Sequence, residues 1–151
     1  MRNDVERRQR WMAVLARASC RELEQAYLDL LNAPAYVLLR PPESGLVLLQ
    51  GRAGETGPSF NVGEATMTRC ALKLLDGTTG FAFVLGRDQR QAELAALFDA
   101  LLQRGDETAS ATLKVISKFE RAQSMRRDLK SRKAASTKVD FFAMTQAREP
   151  K

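Results

Sequence analysis

Arg52 and Arg69 bracket GRAGETGPSFNVGEATMTR, a span from Gly51 to Arg69 that holds four glycines. Arginine supplies a planar fork of donors, and glycine-rich backbone leaves amides open, so the chemistry these residues suggest is capture of a phosphate or a carboxylate. A P-loop would need more. It runs from a strand into a helix and places Lys and then Ser or Thr after its last glycine, so that amides and helix dipole hold the phosphate together. No Gly-Lys-Ser/Thr occurs here, and the residues after Phe60 alternate as a strand does. The span therefore predicts a long hairpin connection. Arg52, Thr56 and Arg69 are its candidates for binding an anion or a partner's carboxylate near the ends of the two flanking strands.

Other chemistry is sparse. Histidine is absent, which removes the usual base poised near neutral pH, and Cys20 and Cys70 stand too far apart for a Cys/His zinc pattern or a disulfide framework. Asp76 belongs to an Asp-Gly turn and Asp88 to a helix cap, while Glu55 and Glu64 sit on the glycine-rich loop without partner spacing. Cys20, near a helix start, reads as a small half-buried residue, and Trp11 as core or interface. No catalytic residue and no metal ligand is assigned.

The elements that would position these residues follow from periodicity. Trp11, Met12 and Leu15 mark one face of a helix from Asp4 to about Ala18, and a second helix opens with the Ser19 and Glu22 capping box and stops at Asn32-Ala33-Pro34. Short apolar runs then predict antiparallel strands: Tyr36 to Arg40, a turn at Pro41-Pro42-Glu43-Ser44-Gly45, Leu46 to Arg52, a strand beyond Thr66, and Phe81 to Leu85, apolar enough to be covered on both faces. Asp88 caps a third helix carrying Leu94, Leu97, Phe98, Leu101 and Leu102 and ending at Gly105. Residues 106–133 continue as a more polar helix whose far half is expected either to fray or to be ordered only by a partner. The fold class is α+β: about four antiparallel strands, two helices before them, two after, and an extended C-terminal tail. One domain covers residues 1–133, and residues 134–151 form a docking tail in which Val139, Phe141, Phe142 and Met144 are interface candidates.

The net charge of +6 is regional. Nine basic and two acidic residues lie between Lys114 and Lys138, leaving fifteen basic against sixteen acidic elsewhere. Such a helix suits an acidic partner surface, with a nucleic-acid-binding module as the alternative; it lacks the interleaved aromatics of a strand-binding groove. No apolar run is long enough to span a membrane and no signal peptide is evident, which places the chain in the cytoplasm.

Four stretches taken together are specific: RQRWMAVLA at Arg8 to Ala16, GLVLLQGRAGETGPSFNVGEATMTRCALKLLDG at Gly45 to Gly77, GFAFVLGRDQRQAELAALFDALLQ at Gly80 to Gln103, and KVDFFAMT at Lys138 to Thr145. In this order they resemble the PhnG family of the bacterial carbon-phosphorus lyase system, over most of the chain outside residues 106–137. The resemblance implies a subunit role in phosphonate use under phosphate starvation. In that system the G, H, I and L proteins join methylphosphonate to the ribose of ATP, release adenine and leave ribose 1-methylphosphonate 5-triphosphate. The J subunit later cleaves the carbon-phosphorus bond, and G, H, I and J form a stable hetero-oligomeric core. It implies partners and a transferase complex, with ATP and Mg at the level of the complex, no cofactor held by this chain and no activity in the isolated chain.

Overall fold

The computed structural model describes residues 2–30, 34–54 and 56–136; the candidates Val139, Phe141, Phe142 and Met144 lie outside them, as does Glu55. Among the described residues the order is α1 Arg2–Leu15, α2 Cys20–Leu28, β1 Tyr36–Arg52, β2 Ser59–Leu74, β3 Thr79–Leu85, α3 Gln89–Gln103 and α4 Glu107–Ser136. The strands form one antiparallel sheet in the order β1-β2-β3. The architecture is α+β, with three strands where the sequence suggests about four.

The difference lies at Pro41 and Pro42. Read as a turn, Pro41-Pro42-Glu43-Ser44-Gly45 is instead the middle of the continuous strand β1. Proline lacks an N–H for the ladder, but β1 is an edge strand with one side open, and register shifts between Leu38 and Arg40 and between Arg40 and Glu43 absorb the misfit as bulges. Glu64, expected on the loop, stands in β2 opposite Leu48, because β2 begins at Ser59.

Helix starts follow the sequence closely. The Ser19 hydroxyl accepts from the Glu22 amide at 3.3 Å, and the Ser19 amide donates back to Glu22 Oε2 at 2.8 Å, completing the capping box of α2. Asp88 Oδ1 accepts from the Gln91 amide at 2.9 Å and starts α3. α4 is helical from Glu107 to Ser136, and everything on it from Ser124 onward is exposed.

α3 is the axis of the molecule. Ala92 and every residue from Leu94 to Leu102 are buried, so the helix is covered all round, by the sheet on one side and by α1, α2 and α4 on the others. Small residues permit close approach: a Cβ at Gly80 of β3 would lie 2.0 Å from the Ala96 carbonyl oxygen and 2.9 Å from Ala100 Cβ. The core seals the inner face of the sheet through Cys70, Leu72, Leu74, Ala82 and Val84. The outer face is another matter. Phe81, Phe83 and Leu85 alternate with that core and are 39%, 51% and 66% exposed, so β3 is covered on one face and not on both.

Candidate functional site

The ladder decides where the two arginines go. Arg52 pairs with Ser59 at the tip of the β1–β2 hairpin, while Arg69 pairs with Glu43 near the body of the sheet. The run of β1 from Glu43 to Arg52 spans roughly 30 Å at ~3.3 Å per residue, so the two do not converge on one anion. Thr56 is exposed in the connection that Arg52 enters. That connection needs glycine: a Cβ on Gly57 would lie 2.0 Å from the Ala53 carbonyl oxygen.

Arg69 joins a different group. Its Nε donates to Glu43 Oε1 at 2.6 Å, and Arg40 Nη1 donates to the same oxygen at 3.3 Å. Two guanidiniums thus share one carboxylate oxygen on the outer face, all three side chains being about half exposed. Beside them Arg40, Arg69, Cys70, Ala71, Phe81 and Phe83 line an open depression of about 300 Å³. This arrangement can receive a carboxylate or another oxyanion at an apolar surface.

The most heavily partnered carboxylate is Asp99, fully buried on α3. Arg8 of α1 grips it with a fork, Nε to Oδ1 at 3.2 Å and Nη2 to Oδ2 at 2.7 Å. Trp11 Nε1 donates to Oδ1 at 2.9 Å, and the Phe81 amide of β3 donates to Oδ2 at 3.0 Å. Asp99 therefore pins α1 and β3 to the central helix. Gln103 Nε2 adds a fifth donor, to Oδ2 at 3.3 Å, and with its lone pairs so committed Asp99 is a structural joint.

A second ionic group clasps α2, α3 and β1. Arg90 donates to both oxygens of Glu24 at 3.1 Å and to Glu93 Oε2 at 3.3 Å, and the Tyr36 hydroxyl donates to Glu93 Oε1 at 2.6 Å. Its guanidinium also stands 5.4 Å from the centre of the Tyr27 ring. Burial and the Glu93 carboxylate push the Tyr36 phenol up to about 12, and the hydrogen bond from Arg90 to Glu24 leads the influences that raise the arginine. Phenol and guanidinium are thereby held in their resting protonation states. Nor are the cysteines nucleophiles in waiting: burial, chiefly, raises the Cys20 thiol and carries Cys70 up to about 11. Asp76 fits its turn, accepting from the Thr78 amide at 2.8 Å, a bond that holds its carboxyl below the usual range. Among the described residues no three His, Cys, Asp or Glu side chains group as a metal site.

Asp99, Glu43, Arg40 and Arg90 were invisible as a set from sequence. Only Asp99 left a signal: it is the lone charge among the apolar residues from Leu94 to Leu102, and an acid in such a run must find a buried partner.

The profile of the family described as "Phosphonate metabolism protein PhnG" matches residues 6–147, running through residues 106–137, for which the motifs alone offered no likeness. The chain is also 37% identical over 148 residues to the alpha-D-ribose 1-methylphosphonate 5-triphosphate synthase subunit PhnG of Rhizobium meliloti (strain 1021), spanning 96% of this chain and 92% of that one. A match of this length, through both the helical core and the β1–β2 hairpin, means that the chain belongs to the PhnG family of phosphonate metabolism proteins.

Proposed function

We propose that this chain is an auxiliary subunit of the synthase that joins methylphosphonate to the ribose of ATP with release of adenine, working with the H, I and L partners. The observation that carries the proposal is the near end-to-end relationship to a subunit of that synthase. The site chemistry is in keeping with it. Displacing adenine requires stabilising an oxocarbenium-like centre and protonating the base, which calls for a carboxyl group free to exchange a proton. Asp99, Glu24 and Glu93 are each engaged by a guanidinium, and Asp76 and Asp88 by backbone amides. The role of the chain is to build the assembly, in which ATP and Mg are bound by the complex, and to join H, I and J in a cytoplasmic hetero-oligomer. Val139, Phe141, Phe142 and Met144 serve as a tail that docks on a neighbouring subunit. Arg52, Thr56 and Arg69 supply cationic and hydroxyl contacts to partner groups.

The test is reconstitution. Adenine release from ATP and methylphosphonate is measured with H, I and L in the presence and absence of this chain, and with this chain alone. The reading expects activity only in the full set. Equal activity without the chain, or turnover by the chain alone, would overturn it.

A further inference from the structure

We infer that the outer face of the sheet, continued onto the β1–β2 arm, is the docking surface for another subunit of the synthase, one that presents an apolar face carrying a carboxylate for Arg69. The inference rests on the subunit reading above and specifies which surface of this chain is used and what it fits.

Three observations converge on this face. The first is apolar continuity. Phe81, Phe83 and Leu85 on β3 lead into Leu49, Phe60 and Val62 of the arm, each 39–66% exposed. The ladder puts them on one side: Arg69 faces Phe83, Met67 faces Leu85 and Gly45, Leu49 faces Gly63, and Gly51 faces Phe60. Val62 is the residue bulged out between Gly63 and Asn61, and its Cγ2 lies 2.6 Å from where a Cβ on Gly51 would stand. Three strands ~4.8 Å apart, two of them prolonged into the arm, present on the order of 600 Å². That is the upper end of what a monomer leaves uncovered and approaches the ~800 Å² per partner of a standard interface.

The second observation is the arm itself. From Leu46 to Arg52 and from Ser59 to Thr66 no residue is buried, and β3 ends at Leu85, opposite Met67, so among the described residues the arm has neither a third strand nor a covering helix. An isolated two-stranded hairpin is marginal in water. Leu46 and Leu48 on its other side are also exposed, at 67% and 63%, so among the described residues the arm has no core of its own. A partner surface supplies one.

The third is charge, which chooses the occupant. Arg40, Arg69 and Lys73 stand on or beside this face with Glu43 as the acid among them, while Arg8, its charge offset by Asp99, borders it 5.8 Å over the Phe81 ring. A second copy related by a twofold axis would set this basic patch against itself. A partner with a carboxylate meets open donors instead: Glu43 engages Arg69 through Nε, and the terminal nitrogens of Arg69 have no partner among the described residues. An apolar centre with an arginine anchor is the composition of a binding hot spot.

The experiment uses the full chain co-expressed with the H, I and J partners and recovered through a tag on it. Phe83→Glu, Leu49→Glu and Arg69→Glu are compared with Leu28→Lys, a charge placed on an apolar residue of α2 that is 68% exposed and remote from this face. Phe83→Glu and Leu49→Glu are expected to reduce co-purified partner at least tenfold, Arg69→Glu several-fold, and Leu28→Lys not at all, with circular dichroism spectra unchanged. Leu49→Glu lies far out on the arm and tests the idea even if Phe83→Glu perturbs folding. Undiminished recovery with both glutamate variants overturns the surface while leaving the subunit reading intact. Failure of the wild-type chain to recover any partner overturns both. Loss with Leu28→Lys overturns the choice of face, and a dimer of the isolated chain that Phe83→Glu dissolves makes a second copy the occupant.

Discussion

The inner and outer faces of this sheet are cut from the same strands. On β3, Ala82 and Val84 are 4% and 0% exposed, while their neighbours Phe83 and Leu85, larger and at least as apolar, are 51% and 66% exposed. Hydrophobicity alone did not assign the faces; alternation along the strand and the location of α3 did. The inner face satisfies the chain's own folding, sealed under a helix buried on all sides. The outer face leaves Phe81, Phe83 and Leu85 exposed among the described residues. In a subunit, a surface that contributes little to folding is free to be specified by a partner.

The sharpest way to break this comparison is at Asp99, which holds the inner layer together. Asp99→Ala is expected to cost about 3–5 kcal/mol, because the Trp11 and Phe81 N–H groups lose a buried acceptor and Arg8 loses its anion. Urea unfolding of the isolated chain reads this directly, and a cost below ~1 kcal/mol would show that the joint is dispensable.

Leu72→Ala, at a fully buried inner position, is expected to cost about 2–5 kcal/mol through lost transfer energy and a residual cavity. Its counterpart Phe83→Ser should fall within ~0.5 kcal/mol in the isolated chain. Equal costs at the two positions would mean that the outer face is covered in the free protein, and the contrast drawn here would fail.

Alkaline titration probes the inner layer with an intermediate effect. Free thiol and phenol groups like those of Cys70 and Tyr36 ionise near 9.0 and 10.0, and in the folded chain burial, chiefly, raises them to about 11 and about 12. A raised folded pKa means that the neutral form favours folding. The contribution is complete below pH 9 and is lost as the pH climbs toward 11–12, on the order of 2 kcal/mol from Cys70. Cys70→Ala should flatten the first part of that decline in a series of melts across pH 8–11. An unchanged decline would assign it to other groups.

The smallest expected effect is at the α2 cap. Ser19→Ala should remove about 1 kcal/mol, since the hydroxyl that accepts from the Glu22 amide is lost while the surface otherwise stays as it was. Glu22 gives a second readout: burial works to raise its carboxyl, yet the bonds from Ser19 and Arg126 leave it lowered overall, so removing the Ser19 hydroxyl should raise its titration midpoint.

Local chemistry was legible without coordinates. The Ser19 and Glu22 box, the Asp88 cap and the Asp76 turn are each closed by residues two or three positions apart, and such contacts depend on little else. The α+β class followed from periodicity in the same way. The Pro41-Pro42 segment misled because proline marks both turns and bulged edge strands, and only sheet order tells the two apart. The placement of Arg52 and Arg69 was illegible for a related reason: a glycine-rich span reads as loop, whereas the strands continue into it and carry the arginines apart.

What the amino-acid sequence determined by itself was therefore whatever a short segment can settle: helix starts, turns, the apolar faces of strands, and, through motifs in order, the family. What tertiary structure alone decided was every pairing across long separations. Arg8 meets Asp99 and Arg90 meets Glu24 through the packing of helices, and Arg69 meets Glu43 rather than Arg52 through strand register. The physical reason is that a charge or an apolar side chain carries no address. It is satisfied by whichever partner the packing brings within reach: on the outer face of this sheet Glu43 meets Arg40 and Arg69, while Phe81, Phe83 and Leu85 stay exposed among the described residues.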